Sequence, residues 1–309
     1  MIVFQGKGNF ENLSNTIVTI GTFDGVHLGH KKIVSSLIAE AKAANGTSVL
    51  ITFNPHPRQV INPDKDIKLL CTNDEKKALL KTYGLDVLFE IPFTRDFSNL
   101  SALDFIQEYL VNQIHAKKII IGYDHHFGKD REGAFALLKK YEKQFGFEVF
   151  EIPAKDIDDV VVSSTKIRNA LNEGDVKLAA DLLGYNYHLS GIVIKGNQLG
   201  RTIGFPTANI FCEDNSKLIP ANGVYAVKVS LDNKWIDGVM NIGNRPTIEK
   251  NGERSIEVHL LNFNQDIYVK RLTIEFVDKI RNEQKFDGIE ALKAQISKDI
   301  ETAKQILKQ

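Results

Sequence analysis

The residues best suited to chemistry lie in one glycine-rich run, Gly21-Thr-Phe-Asp-Gly-Val-His-Leu-Gly-His30, between a predicted strand and a predicted helix. Its glycines let the backbone turn sharply and approach a ligand closely. His27 and His30 share one face of the first helical turn, where imidazole donors and free backbone N–H groups bind anions. An isolated histidine is usually a surface or core-edge side chain, but this context favours a phosphate site. The predicted phosphate site contains Gly21, Phe23, Asp24, Gly25, His27 and His30.

Three more polar clusters follow predicted strands in the same half of the chain. They are Asn54-Pro-His-Pro57, Gly122-Tyr-Asp-His-His-Phe-Gly128 and Ser163-Ser-Thr-Lys-Ile-Arg168. Ligands of parallel α/β sheets bind beyond the carboxyl ends of the strands, so we expect the clusters to converge there. Hydroxyls with Lys166 and Arg168 at a helix start supply donors for a polyphosphate, although such a hexamer alone is more often only a helix N-cap.

A second polar run lies in the other half of the chain, Gly196-Asn-Gln-Leu-Gly-Arg-Thr-Ile-Gly-Phe-Pro-Thr-Ala-Asn209. Nothing in the chain matches the Walker A pattern G-x-x-x-x-G-K-[ST], which excludes an ordinary P-loop. Thr207 and Asn209 are two residues apart on an extended segment, so their oxygens point to the same side, an arrangement that suits Mg²⁺. Spaced glycines alone usually mark turns, but beside this segment they predict a flexible loop that covers phosphate. The loop contains Gly196, Gly200, Arg201 and Gly204.

The elements that must position these clusters differ between the two halves of the chain. In the first half, short apolar runs alternate with amphipathic stretches, which predicts a parallel sheet with helices on both faces. The predicted strands are Ile17–Ile20, Ser48–Phe53, Val87–Ile91, Lys118–Ile121 and Glu148–Ile152. In the second half, short β-rich segments precede one stretch with helical spacing. We therefore predict an α/β domain over residues 1–185 and an antiparallel β-barrel or sandwich, closed by a terminal helix, over residues 186–309.

Strict alternation of apolar and polar residues is clearest in Ser255-Ile-Glu-Val-His-Leu260. In a strand this pattern places Glu257 and His259 on the face opposite the apolar side chains. A glutamate in a sheet is most often only an exposed strand residue. The predicted strands of this half are Ile192–Ile194, Val224–Val229, Ile236–Met240, Ser255–Leu261 and Leu272–Phe276.

Composition and charge exclude several classes of protein. The 309 residues are 43% hydrophobic and 25% charged, as in globular proteins. Residues 1–185 hold 22 basic and 24 acidic side chains and the rest hold 17 and 15, without the basic excess of a nucleic-acid binder. The two cysteines form no C-x-x-C pair, and no stretch approaches the ~18 apolar residues of a membrane helix. We expect a reduced, soluble, cytoplasmic protein with no nucleic-acid or membrane partner.

In their order along the chain, the four clusters of the first half resemble the nucleotidyltransferase half of bacterial bifunctional riboflavin kinase/FAD synthetases. The resemblance implies a Rossmann-like domain that transfers an adenylyl group from ATP to FMN with Mg²⁺, giving FAD and pyrophosphate. Because the FMN phosphate is already an anion, catalysis consists of holding two anions together and stabilising the departing pyrophosphate. The resemblance implies catalytic roles for His27, His30 and Arg168. Asn54, Asp124, Ser163, Ser164 and Thr165 are the further implied nucleotide or phosphate contacts.

Three runs of the second half are similar to the riboflavin kinase module of the same family: Met240-Asn-Ile-Gly-Asn-Arg-Pro-Thr247, Glu257-Val-His-Leu-Leu-Asn-Phe263 and Arg281-Asn-Glu-Gln-Lys-Phe286. The similarity implies ATP-dependent phosphorylation of riboflavin to FMN. Glu257 is then the candidate general base for the terminal ribityl hydroxyl, a poor nucleophile until a carboxylate accepts its proton. The family often has Asp in place of Asn262 and Gly in place of Val269, departures expected to affect the flavin pocket and loop mobility more than activity. The implied flavin contacts are Asn241, Arg281 and Phe286.

Two other classes of function remain as alternatives. One is a nucleotide-binding domain joined to an RNA-binding barrel, which the balanced charge of the second half counts against. The other is a metallohydrolase, for which no His-Glu-x-x-His signature is present. Its histidines would be His27, His30, His56, His125 and His126, of which the last two stand where the resembling family more often has other residues. We favour a flavin-cofactor enzyme whose partners are riboflavin, FMN and ATP.

Overall fold

The computed structural model divides the chain into two compact units, Met1–Ser164 and Thr165–Gln309. The residues that it describes are 1–6, 8, 10–123, 126–129, 132–153, 162–196, 199–244 and 254–308. Within these ranges, no helix is both long enough and apolar enough to cross a membrane.

The first unit is built on a parallel sheet of six strands. They are β1 (Ile2–Gln5), β2 (Ile17–Ile20), β3 (Ser48–Asn54), β4 (Val87–Pro92), β5 (Lys118–Gly122) and β6 (Glu148–Ile152). Their order across the sheet is β1-β4-β3-β2-β5-β6, which reverses between β2 and β5 as in Rossmann-like folds and opens a ligand crevice beyond these strand ends. Five strands confirm the prediction. The edge strand β1 is additional, because it is short and largely exposed and has no strong apolar pattern.

Helices cover both faces of this sheet. They are α1 (Leu28–Ala43), α2 (Pro57–Ile61), α3 (Asn73–Thr82), α4 (Arg95–Ser98), α5 (Ala102–Phe105, continued by a π-helical stretch over Ile106–Gln113) and α6 (Phe135–Phe145). Successive strand residues point to opposite faces. Val49 and Ile51 accordingly join a core with α5 and α6, whereas Leu50 joins a core with α1 and α3. The predicted α/β architecture is confirmed.

The second unit is a closed antiparallel barrel of six strands. They are β7 (His188–Ile194), β8 (Ala208–Phe211), β9 (Gly223–Leu231), β10 (Lys234–Asn244), β11 (Arg254–Leu260) and β12 (Arg271–Arg281). The strand order is β10-β11-β8-β7-β12-β9, and the ring closes through pairing of β9 with β10. The terminal helix α10 (Ile289–Leu307) packs Ala303 and Leu307 into a core with Val224 and Ala226 of β9. Of the two predicted architectures, barrel or sandwich, the structure is the barrel.

Two helices precede the barrel, α7 (Ser164–Glu173) and α8 (Val176–Leu183), and a short helix α9 (Leu199–Thr202) follows β7. The packing of α7 and α8 groups them with the second unit, although the predicted domain boundary lies after residue 185. The main-chain oxygen of Leu171 accepts a hydrogen bond from the Ala221 amide at 2.9 Å, and that of Glu173 accepts one from Lys279 Nζ at 3.2 Å. Domain limits at 185 and 186 stay a prediction.

Candidate active sites

The loop between β2 and α1, residues 21–27, carries the predicted phosphate residues in an uncommon backbone conformation. Phe23, Gly25 and Val26 have positive φ angles of 48°, 79° and 39°. A β-branched residue such as Val26 rarely adopts this conformation, which persists only where surrounding contacts hold it. A Cβ atom on Gly21 would lie 2.9 Å from the ring of Phe23, so the compact turn requires glycine there.

Asp24 holds this loop through its buried carboxylate. Its Oδ1 atom accepts hydrogen bonds from the backbone amides of Leu70 at 2.9 Å and Cys71 at 3.3 Å. The neighbouring Gly25 amide donates to Cys71 Sγ at 3.0 Å. Backbone donors thus satisfy the hydrogen-bonding capacity of this buried carboxylate. The geometry supports a loop-anchoring role for Asp24.

His27 and His30 stand together at the start of α1, as predicted from their spacing. His27 is the N-cap, and its Nδ1 accepts a hydrogen bond from the His30 amide at 3.3 Å. The two rings stack with centroids 3.6 Å apart, which places both imidazoles beside the helix N-terminus. Nδ1 of His30 is buried and has no hydrogen-bond partner among the described residues. A buried ring nitrogen of this kind, next to free helix N–H groups, suits an anionic ligand.

Lys76 lies beneath the loop and was missed by the sequence reasoning. Its buried ammonium donates to the Thr22 carbonyl oxygen at 2.9 Å and to Thr52 Oγ1 at 3.4 Å. Burial, His27 and Lys76, in that order, hold the pKa of His30 well below its usual value of 6.5. Helical spacing in the sequence could have indicated that Lys76 is buried, because it lies four residues before Leu80 on the buried face of α3.

In the Ser163–Arg168 cluster, Ser164 contacts the loop: its hydroxyl donates to the Asp24 carbonyl oxygen at 3.1 Å. Ser163, just before α7, is partly buried. Thr165 is exposed and Arg168 is partly buried, and both belong to the second compact unit. Their contacts with phosphate stay predictions.

The other clusters of the first half are only partly described. Asn54 ends β3 and is exposed, and its carbonyl oxygen accepts a hydrogen bond from the Phe93 amide at 3.2 Å. His56 forms a capping box at the start of α2, which is a structural use of this histidine. Asp124 and His125 lie outside the described residues. Within the described ranges, no group of three or more His, Cys, Asp or Glu side chains could hold a metal ion.

In the barrel, Glu257, Thr207 and Asn209 come together on neighbouring strands. Strands β8 and β11 pair with Asn209 opposite Glu257. Thr207, just before β8, donates its hydroxyl hydrogen to Glu257 Oε2 at 3.0 Å. Asn209 is buried, so its amide is held in place. Because hydroxyl, amide and carboxylate oxygens are the donors that Mg²⁺ prefers, the residues fit the predicted magnesium site.

The glycine loop packs directly onto these residues. A Cβ atom on Gly196 would lie 2.2 Å from Asn209 Nδ2, and one on Gly200 would lie 2.3 Å from the Phe205 carbonyl oxygen. Both glycines therefore allow a backbone approach that no side chain permits. Gly204 needs glycine for a different reason, a positive φ of 91°. Arg201, on α9, is exposed.

The predicted flavin residues lie in two places. Asn241 is opposite Glu257 in the β10–β11 pairing and therefore flanks the candidate base. Arg281 forms a bidentate ion pair with the buried Asp299, its Nε and Nη2 donating at 2.8 to 3.1 Å, and its guanidinium carbon lies 5.6 Å from the ring centroid of Phe286. The ion pair ties β12 to α10. Flavin contacts of Arg281 and Phe286 stay predictions, and residues 245–253 lie outside the described part.

The two departures from the family pattern are both turn residues with left-handed backbone. Asn262 has a φ of 53° and Val269 a φ of 58°. Asparagine tolerates this conformation, whereas valine is strained in it. Val269 is 85% exposed, so its side chain gains nothing from packing. Valine at position 269 therefore strains the backbone of this turn.

The fold and the two sites define the class to which the chain belongs: enzymes that handle nucleotide phosphates in two successive domains. A candidate anion site lies where the order of the Rossmann-like sheet reverses. A carboxylate beside oxygen ligands lies on the barrel. The two arrangements differ in chemistry, since only the second places a candidate base next to a candidate metal site.

Comparisons with known proteins agree with this class. The FAD synthetase family matches residues 9–166, and the riboflavin kinase family matches residues 183–307. The bifunctional riboflavin kinase/FMN adenylyltransferase of Buchnera aphidicola subsp. Schizaphis graminum is 42% identical over 99% of this chain and 98% of its own. The protein of the same name from Haemophilus influenzae is 44% identical over 94% of each chain. A crystal structure described as a macrolide-efflux protein from Streptococcus pneumoniae has a TM-score of 0.89 and 33% identity, covering 98% of this chain and 99% of that one.

The chain belongs to the bifunctional riboflavin kinase/FMN adenylyltransferase family. It phosphorylates riboflavin to FMN with ATP and adenylylates FMN to FAD. The resemblance identified from the motifs is confirmed, and this function is favoured over a nucleotide-binding domain fused to an RNA-binding barrel. The efflux description of the Streptococcus structure applies to that protein.

Proposed function

We propose that the two reactions occur at separate sites, with riboflavin phosphorylation on the barrel and adenylyl transfer at the 21–27 loop. The observation that carries this proposal is the 3.0 Å hydrogen bond from Thr207 to Glu257. It joins a candidate base to a candidate metal ligand on the barrel, whereas the carboxylate of the 21–27 loop, Asp24, is buried and accepts hydrogen bonds from backbone amides. The corresponding domain limits are residues 1–185 and 186–309.

In the kinase reaction, Glu257 accepts the proton of the terminal ribityl hydroxyl as that oxygen attacks the γ-phosphate. The Thr207 hydroxyl donates to Glu257 Oε2 at 3.0 Å and so holds the carboxyl group in a fixed orientation. Oxygens of Thr207 and Asn209 would hold Mg²⁺, which would neutralise charge on the ATP phosphates. Residues of the loop that covers the phosphates are Gly196, Gly200, Arg201 and Gly204, and those that contact the flavin are Asn241, Arg281 and Phe286.

In the adenylyl transfer, His27 and His30 bind phosphate oxygens at the start of α1. Because its pKa is lowered, His30 is neutral near pH 7 and binds by hydrogen bonding rather than by charge. The FMN phosphate is itself the nucleophile, so the site needs donors that orient two anions and no general base. The further contacts are proposed to be Gly21, Phe23, Gly25, Asn54, Asp124, Ser163, Ser164, Thr165 and Arg168.

The test separates the two activities in one purified chain. Riboflavin, ATP and Mg²⁺ are supplied, and FMN and FAD are measured over time. Glu257→Gln should abolish FMN formation and leave conversion of added FMN to FAD intact, whereas His30→Ala should do the reverse. Glu290→Gln, which alters an exposed carboxylate at the start of α10, is the matched control and should change neither reaction.

Loss of both activities in either single variant, with the protein folded, would contradict separate sites. Absence of any flavin turnover, together with RNA binding that weakens steeply with salt, would instead favour the RNA-binding alternative. We also propose that the enzyme works in the cytoplasm on small molecules alone, because both reactions consume ATP.

A further inference from the structure

We propose that His259 is a positioning residue of the kinase site, and that its Nδ1–H group holds the Pro206 carbonyl and thereby aims the Thr207 hydroxyl at Glu257. This inference rests on the proposed kinase roles of Thr207 and Glu257. It gives a role to a polar strand residue that the chemistry described above leaves unused.

The β8–β11 ladder ends just before Thr207. Its last residue pair is Ala208 with Val258, and continuing the antiparallel register would place Thr207 opposite His259. The chain cannot continue as a regular strand, because Pro206 has no N–H group to donate. Thr207 therefore lies beyond the ladder that holds the rest of β8 and needs another anchor.

The side chain of His259 supplies this anchor. Its Nδ1 lies 2.7 Å from the Pro206 carbonyl oxygen, at the short end of the range for N–H···O hydrogen bonds. A carbonyl oxygen only accepts, so the hydrogen must be on Nδ1. The ring of Phe205 stands edge-on to the imidazole, with centroids 6.0 Å apart. The imidazole is thus restrained by a polar contact and by an aromatic one.

The contact removes the remaining freedom of Pro206. The proline ring fixes φ near −65°, and a hydrogen bond on the carbonyl oxygen restrains ψ, the only other soft dihedral of that residue. Thr207 then extends from an oriented peptide plane, and its hydroxyl reaches Glu257 Oε2 at 3.0 Å. Glu257 and His259 lie two residues apart on one face of β11. The same strand therefore carries the candidate base and the side chain that orients Thr207 toward it.

Three variants of the full-length chain test the role of Nδ1. His259→Ala should raise the Mg²⁺ concentration for half-maximal FMN formation about fivefold, the effect of one lost hydrogen bond, with a smaller change in kcat. His259→Asn keeps an N–H donor where Nδ1 stood and should restore the wild-type value within about twofold. His259→Gln places its donor where Nε2 stood and should behave like His259→Ala.

Two measurements on metal-free protein do not depend on turnover. Imidazole nitrogen NMR should show the Nδ1–H tautomer of His259. Hydrogen exchange in peptides that cover residues 203–211 should be faster in the Ala and Gln variants than in the wild type and the Asn variant.

Equal Mg²⁺ dependence of the Asn and Gln variants, or an unchanged Ala variant, would overturn the role of His259. Conversion of FMN to FAD should be the same in all of these proteins, and it reports that each is folded. A wild-type chain that converts FMN to FAD but does not phosphorylate riboflavin would instead overturn the proposed kinase site.

Discussion

The two sites are held in place by different kinds of structure. In the 21–27 loop the backbone is irregular, and contacts with distant elements hold it. The Asp24 side chain accepts hydrogen bonds from amides 46 and 47 residues away, and Lys76 donates to the Thr22 carbonyl oxygen across 54 residues. On the barrel, the register of two paired strands sets Asn209 opposite Glu257. The first site thus depends on a few long-range side-chain contacts, whereas the pairing of Asn209 with Glu257 in the second depends on strand register.

This difference predicts different responses to mutation. Changing one side chain behind the 21–27 loop should inactivate the first site, even though that side chain does not touch substrate. The Asn209–Glu257 pairing should respond less to the loss of one supporting side chain, because strand register sets it.

The largest expected effect comes from Lys76→Met, which keeps the length of the side chain and removes its ammonium. The Thr22 carbonyl loses its buried donor, and the loop shifts. We expect FMN adenylylation to fall about 100-fold, the cost of misplacing a catalytic group by about 1 Å, with riboflavin phosphorylation unchanged. Separate assays of the two reactions measure this.

Lys77→Met is the matched control, because Lys77 is the next residue of α3 and pairs with the buried Glu90 at 3.0 Å. Its loss removes the ion-pair partner of Glu90, which keeps the hydrogen bond from Gln5 Nε2 at 3.1 Å. The free energy of unfolding should fall by about 2–3 kcal/mol, less than for a fully buried pair because Lys77 is partly exposed. Adenylylation by the folded fraction should persist. Equal losses of activity in both variants would show that stability, and not loop position, is responsible.

Gly196→Ala tests whether the position of Asn209 matters for the barrel site. The added methyl group would lie 2.2 Å from Asn209 Nδ2, so the asparagine must move away from its position opposite Glu257. We expect kcat/KM for riboflavin phosphorylation to fall about tenfold at limiting Mg²⁺, with adenylylation unchanged. Unaltered phosphorylation would mean that the packing of this loop on Asn209 does not matter for metal binding.

The lowered pKa of His30 predicts how the stability of the first site depends on pH. The unfolded chain binds a proton on this histidine near pH 6.5, whereas the folded chain resists it. Stability is therefore fully present above pH 6.5 and is lost as the pH falls toward the lowered pKa, by at most about 1.4 kcal/mol per pH unit. Urea denaturation from pH 8 to pH 5 should show a shallower loss for His30→Gln; identical slopes would refute the assignment.

Val269→Gly should have the smallest effect and the opposite sign. Glycine adopts the positive φ of 58° without the strain that valine carries there. We expect the barrel to gain about 0.5–1 kcal/mol, seen as a rise in Tm of about 2–3 °C by calorimetry. Asn262→Gly is the comparison, since asparagine already tolerates its φ of 53°, and it should change Tm less.

Much of the fold is predictable from local patterns. Five strands of the first sheet end within one residue of their predicted limits. Ser101 caps α5 by accepting a hydrogen bond from the Asp104 amide, and Gly146 ends α6 with a φ of 73°. Strand β1 is not predicted, because it is a largely exposed edge strand without a strong apolar pattern, and β8 lies in a segment predicted only as extended.

The candidate sites also contain some features that local patterns predict and others that they do not. The spacing of His27 and His30, and of Thr207 and Asn209, is readable in the sequence because it is local to one turn or one strand. Three contacts are visible only in the folded chain. They are the hydrogen bonds of Asp24 with backbone amides, of Lys76 with the Thr22 carbonyl oxygen and of His259 with the Pro206 carbonyl oxygen. Periodicity records which face of an element is buried, but the partner of a polar side chain some 50 residues away depends on how those elements pack.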